Sequence, residues 1–108
     1  MVKYNKDQLN QIFHALSDKT RRNMVERLTR GSLVATALAR EYSISFPAVS
    51  KHLRVLEKAS LVKLTRQGRV RLYSINSRQL EKARKWIEFW SKFWNKRLDN
   101  LEKFLKNN

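Results

Sequence analysis

Apolar residues along the chain recur at two spacings, one near 3.6 residues and one of two, and the changes from one to the other divide it into segments. Leu9, Ile12, Phe13 and Leu16 mark an amphipathic first helix. Met24, Val25 and Leu28 mark a second, with Gly31 as its expected C-terminal stop. Leu33, Ala37 and Leu38 predict a short third helix, which Tyr42 to Ser45 interrupt. Ser45 is suited to cap a fourth, because its hydroxyl can accept a hydrogen bond from an unpaired backbone N–H. Pro47 is tolerated in a first turn, where no intrahelical bond is lost. This fourth helix is therefore expected to start at Phe46. Its apolar positions Val49, Leu53 and Leu56 turn inward together, with Phe46 near the same edge, and leave Pro47, Ala48, Ser50, Lys51 and Arg54 outward.

Beyond this helix the period shortens. Leu61 to Arg66 alternates as a strand, with Val62 and Leu64 on one side and Lys63 and Thr65 on the other. Gln67-Gly68 is the expected turn, and Arg69 to Ile75 returns as a second strand, with Gly68 supplying the positive φ that tight hairpins need. Two helices around a polar turn followed by a basic hairpin predict a winged helix-turn-helix, mainly α with a small β-hairpin and a long C-terminal helix for dimerisation. The expected organisation is one domain over 1–108, with N-terminal helices in 1–31, the helix-turn-helix in 33–60, the wing in 61–75 and the C-terminal helix in 77–106.

Charge adds a partner to this picture. The formal net charge is +15, from 24 basic and 9 acidic residues, and a polyanion is the natural counterpart of such a field. Residues 43 to 74 hold seven basic residues against Glu57 alone, whereas residues 75 to 108 hold nine against four. The most lopsided stretch is thus the helix-turn-helix and its hairpin. The outward face of the second helix of that motif is small and polar near its N-terminus, where a recognition helix meets base edges. Arg66, Arg69 and Arg71 crowd the hairpin, from which cations reach the DNA backbone or minor groove. Edge strands also carry basic residues simply to prevent aggregation. The expected DNA-contacting set is Ser45, Phe46, Pro47, Ala48, Ser50, Lys51, His52 and Arg54 from the helix, and Arg66, Gln67, Gly68, Arg69 and Arg71 from the wing.

Three runs, Ala15-Leu16-Ser17-Asp18-Lys19-Thr20-Arg21-Arg22, Ser45-Phe46-Pro47-Ala48-Val49-Ser50-Lys51-His52-Leu53-Arg54-Val55-Leu56, and Leu61-Val62 with Gly68-Arg69, resemble the ArsR/SmtB family of bacterial winged-helix repressors. The resemblance runs from about Leu9 to Ile75. Lys19 stands where many members have proline, and Ser43 where many have glycine. The resemblance implies that Val34 and Thr36 occupy the positions where metal-sensing members place two cysteines. This chain has no cysteine, which excludes disulfides, thiol redox sensing and cysteine-based metal sites. Its two histidines, His14 and His52, lie in different helices and make no ligand set of three or four. The expectation is a regulator with no metal and no cofactor.

The C-terminal helix, expected after a cap at Asn76 or Ser77, carries a stripe of Leu80, Ala83, Ile87, Trp90, Trp94, Leu98, Leu101 and Leu105. Trp86, Phe89 and Phe93 widen the apolar surface between residues 86 and 94 to most of the circumference. A helix apolar nearly all round must be buried on more than one side, which implies a second chain. The expected dimer interface is Phe13, Trp86, Phe89, Trp90, Phe93, Trp94, Leu98 and Leu101. Two rivals remain: a membrane-surface helix, because basic residues flank the aromatics, and a pocket for a small-molecule effector of unknown identity.

Other classes find little support. MVKYNKDQLNQIFHAL lacks the apolar run of a signal peptide, and no stretch approaches a membrane span, so a cytoplasmic protein with no membrane partner is expected. With two glycines there is no phosphate-cradling loop, and no nucleophile is paired with a base, so no enzyme is expected. The expected function is a homodimeric regulator of transcription on double-stranded DNA, most simply a repressor that occludes a promoter. The alternatives are a sequence-tolerant nucleoid or RNA-binding protein, and a helical protein-interaction module that no longer reads DNA.

Overall fold

The computed structural model describes residues 6–107; the opening residues of the segment weighed as a signal peptide lie outside them. Helices α1 (Lys6–Leu16) and α2 (Lys19–Thr29) come first, followed by a short strand β1 (Leu33–Val34). Helices α3 (Ala35–Ala39) and α4 (Phe46–Lys58), strands β2 (Val62–Gln67) and β3 (Val70–Ile75), and α5 (Ser77–Lys106) complete the chain. Ile12, Met24, Leu28, Leu38, Val49, Leu53, Leu56 and Leu61 are fully or almost fully buried and join the helices α1 to α4 in one core.

The joints between elements are built from caps. Asp18, in extended conformation, accepts the Arg21 backbone N–H at 3.0 Å and starts α2. Ser45 does the same for α4, its Oγ accepting from Ala48 N at 3.2 Å. Helix α4 ends with Ser60 at φ 59°, its N–H bonded to Glu57 O and that of Leu61 to Leu56 O. This is the Schellman arrangement, which satisfies carbonyls that the helix end would otherwise orphan. Asn76 Nδ2 donates to Ser60 O at 2.8 Å, and the buried Gln79 donates to Ala59 O at 2.8 Å, fixing the root of α5 against the end of α4.

Two sequence expectations are corrected. Leu33 lies in β1, not in the first helix of the helix-turn-helix: it pairs with Tyr73, and Val34 with Leu72, making the sheet three-stranded in the order β1-β3-β2. Pairing with a distant strand decides this, and spacing within a few residues cannot report it. The hairpin turn is Gly68-Arg69 rather than Gln67-Gly68, because Gln67 pairs with Val70. Positive φ falls on Gly68 (61°) and not on Arg69, the pattern of a type II′ turn, whose first central position favours glycine.

Candidate nucleic-acid interface

The inner face of α4 is anchored by Val49, Leu53 and Leu56, each with no exposed surface. The opposite side carries Pro47, Lys51 and Arg54 exposed, with Ala48 and Ser50 half-buried. Phe46 stands in the first turn with 41% of its surface exposed. His52 points elsewhere: its half-buried ring faces α2, and Nδ1 lies 3.2 Å from a terminal nitrogen of Arg21 and 3.9 Å from Asp18 Oδ2. A guanidinium only donates, so Nδ1 accepts and the ring proton sits on Nε2. Arg21 Nε also donates to Ala15 O at 2.7 Å and its other terminal nitrogen to His14 O at 3.2 Å. One side chain therefore joins the end of α1, the start of α2 and the middle of α4. The sequence pattern does not reveal this joint. The Asp18 cap is visible as an Asp ahead of an apolar period, but the reach of Arg21 to His52, thirty-one residues away, is not.

The wing brings its arginines beside this helix. Arg66 and Arg71 are register partners on adjacent strands, while exposed Arg69 occupies the turn beside Gly68 and exposed Gln67 pairs with Val70. Like charges directly opposite across a ladder are destabilising unless an anion joins them. Arg71 reaches back to α4, its guanidinium carbon 6.0 Å from the centroid of the Phe46 ring. That cation–π contact ties the wing to the first turn of the recognition helix.

Carboxylates neutralise cations in other regions. Glu41 takes both oxygens to Arg27 Nε at 2.9 and 3.0 Å, and Tyr42 donates to Asn23 at 2.8 Å, bracing the turn after α3 against α2. On α5, Glu81 and Glu88 flank Arg84, Glu88 also meets Lys92 at 3.2 Å, and Glu102 meets Lys106 at 3.0 Å. Hydrogen bonds from Arg84 hold the Glu81 carboxyl below its ordinary value, and those from Lys92 do the same to Glu88. Among the described residues no carboxylate lies in ion-pair range of Lys51, Arg54, Lys63, Arg66, Arg69 or Arg71. On the surface formed by α4 and the wing these six cations thus lie together with no carboxylate to offset them.

A second surface runs along α5. Only its first turns dock on the domain, with Gln79 and Ala83 buried and Leu80 half-buried. From there a ladder of rings climbs the helix: Phe13 to Trp86 at 5.4 Å, Trp86 to Trp90 at 6.2 Å, Phe89 to Trp90 at 5.3 Å, Trp90 to Phe93 at 5.5 Å, and Phe93 to Trp94 at 6.0 Å. Arg97 covers Phe93 at 5.1 Å. Trp94 and Leu98 remain 58% exposed and Leu101 53%. No helix among the described residues is long and apolar enough to cross a membrane, and none of them form a group of three or more metal-ligating side chains.

A short helical core, a recognition helix with a free cationic face and a three-stranded wing define a winged helix-turn-helix protein of the DNA-binding class. A model of the helix-turn-helix domain matches residues 16–65. The transcriptional repressor SdpR of Bacillus subtilis is 34% identical over 79 residues, which cover 73% of this chain and 88% of that protein. The crystal structure of an ArsR family transcriptional regulator superposes with a TM-score of 0.80 at 34% identity, covering 88% of this chain and 97% of that one. A homodimeric winged helix-turn-helix DNA-binding domain from Mycobacterium bovis shares the fold, with a TM-score of 0.65 at 19% identity over 85% of this chain and 91% of that one. The chain belongs to the ArsR/SmtB family of winged helix-turn-helix transcriptional regulators.

Proposed function

We propose that the protein is a homodimeric repressor that reads a two-fold symmetric operator without a metal ion. The observation that carries this reading is the cluster of cations without carboxylates on α4 and the wing, where Arg66 faces Arg71 across the ladder. Helix α4 enters the major groove; Lys51 and Arg54 contact base edges or phosphates there, and Ser45, Pro47, Ala48 and Ser50 form the close-approach surface. Arg66, Arg69 and Arg71, with Gln67 and Gly68 at the hairpin tip, meet the backbone or minor groove. His52 contributes by locking α4 to α2 through Arg21. Dimerisation through Phe13 and the α5 rings sets two reading heads about one helical turn, about 10 base pairs, or a multiple apart. Repression follows the similarity to a named repressor, and the absence of cysteine supports independence from thiolate-bound metals. The site of action is the chromosome, hence the cytoplasm, and no catalytic role is proposed.

Competition binding tests the reading. A duplex from the DNA upstream of the protein's own gene should be retained against excess bulk DNA, and Lys51→Ala or Arg54→Ala should weaken it by ~1 to 3 kcal/mol if the lost contact is bidentate to a base. Equal affinity for all duplexes would favour the nucleoid reading. Unchanged affinity in both variants would remove α4 as the reader.

A further inference from the structure

We infer that Phe46 is a specificity-determining residue that reads the C5-methyl group of thymine, an inference that rests on the DNA-reading function proposed above. Every other large apolar side chain on α4 is buried or half-buried, yet Phe46 keeps 41% of its surface open in the middle of the most basic region of the chain. Val70, across the gap on the wing, is 49% exposed, and Ile44, just before the cap, is 40% exposed. Phe46 and Val70 line one surface groove with Val34 and Ala35, and Arg69 and Arg71 share its lining. The groove thus combines an apolar wall with two guanidinium groups. Arg71 lies over the ring of Phe46 and holds the wing side of the groove to the first turn of α4.

A ligand that fits must present a small apolar group close to an anion. In the major groove only thymine offers an apolar group on its base edge, the C5-methyl, and its own backbone phosphate runs nearby. Phe46 stands at the N-terminal end of the recognition helix, the end whose residues meet base edges. Seating a methyl against Phe46 and Val70 covers the apolar surface that the free protein leaves wet, while Arg69 and Arg71 meet the adjacent phosphates. The rival role for Phe46 is a brace for the wing, which would support all sequences alike.

The test starts from a random-sequence duplex library enriched on the wild-type protein. The enriched duplex is remade with each thymine in turn replaced by deoxyuridine, which lacks only the methyl. At one thymine per half-site, wild-type affinity should fall about fourfold, the factor expected for one buried apolar carbon. Phe46→Ala should bind the thymine and uracil forms of that duplex equally. Phe46→Gln, which keeps bulk at the helix start, should show the same indifference and serves if Phe46→Ala melts early by circular dichroism. A flat uracil series with the wild-type protein, or the same sensitivity in the variants, overturns the inference and leaves DNA reading by α4 standing. A library from which nothing is enriched overturns the DNA-reading proposal and this inference with it.

Discussion

Arg21 and Asp18 show how much of the reading surface depends on residues that face away from it. The Asp18 carboxylate starts α2 by accepting Arg21 N–H, and that same residue's guanidinium holds His52 of α4 and two carbonyls of α1. The backbone hydrogen bond from Arg21 keeps the Asp18 carboxyl below its ordinary pKa, with the nearby Arg21 guanidinium acting in the same direction. A carboxyl with a depressed folded-state pKa stabilises fully above the unfolded value and loses that contribution as pH falls through the folded one. Asp18→Ala should therefore cost about 1 kcal/mol of stability at neutral pH, the usual worth of such a cap. The gap between wild type and variant should narrow below about pH 4, where the unfolded carboxyl begins to protonate. Denaturant melts at several pH values would check this, and a gap that stays constant into acid would show that the cap acts through shape rather than charge.

Elements differ in how plainly the sequence writes them. Helix α4 is legible because its signals are local: Ser45 caps, Pro47 tolerates a first turn, and Val49, Leu53 and Leu56 repeat at one face. Strand β1 is not, since two residues have no period and become a strand only by pairing with Tyr73 and Leu72. The hairpin turn is displaced by one residue from its expected place, because composition locates Gly68 but not whether it is the first or second central position. At the candidate site the cationic residues are readable from charge and facing. The Arg71–Phe46 contact and the turning of His52 toward α2 are not, for both are tertiary contacts between segments far apart in sequence. The wing carries its own prediction. Arg69, exposed in the turn and out of ion-pair range of any carboxylate among the described residues, should act on phosphate without regard to sequence. Arg69→Ala should lower affinity for all duplexes alike and make the slope of log affinity against log salt shallower by about one unit. A wild-type slope in the variant would show that this arginine stays solvated in the complex.

At the scale of the whole molecule the chain is more extended than a compact domain of its length. Its radius of gyration is 18.5 Å and its longest dimension 68 Å, against about 13 Å for the radius of a compact domain of this length. The excess comes from α5, thirty residues long, whose outer turns carry Trp94, Leu98, Leu101 and Leu105 into solvent. Burying one such large side chain is worth ~1.5 to 3 kcal/mol, and a charge placed among them adds a desolvation cost of several more. Trp94→Lys should leave the folded protomer intact, because Trp94 is more than half exposed within its own chain, yet abolish tight operator binding by separating the protomers. Sedimentation equilibrium of the wild-type protein at micromolar concentration, alone and with an enriched duplex, tests the central claim most directly. Two symmetric reading heads predict a dimer in solution and two chains per duplex, with Trp94→Lys sedimenting as a monomer; a wild-type monomer that binds as one chain per duplex would contradict the account.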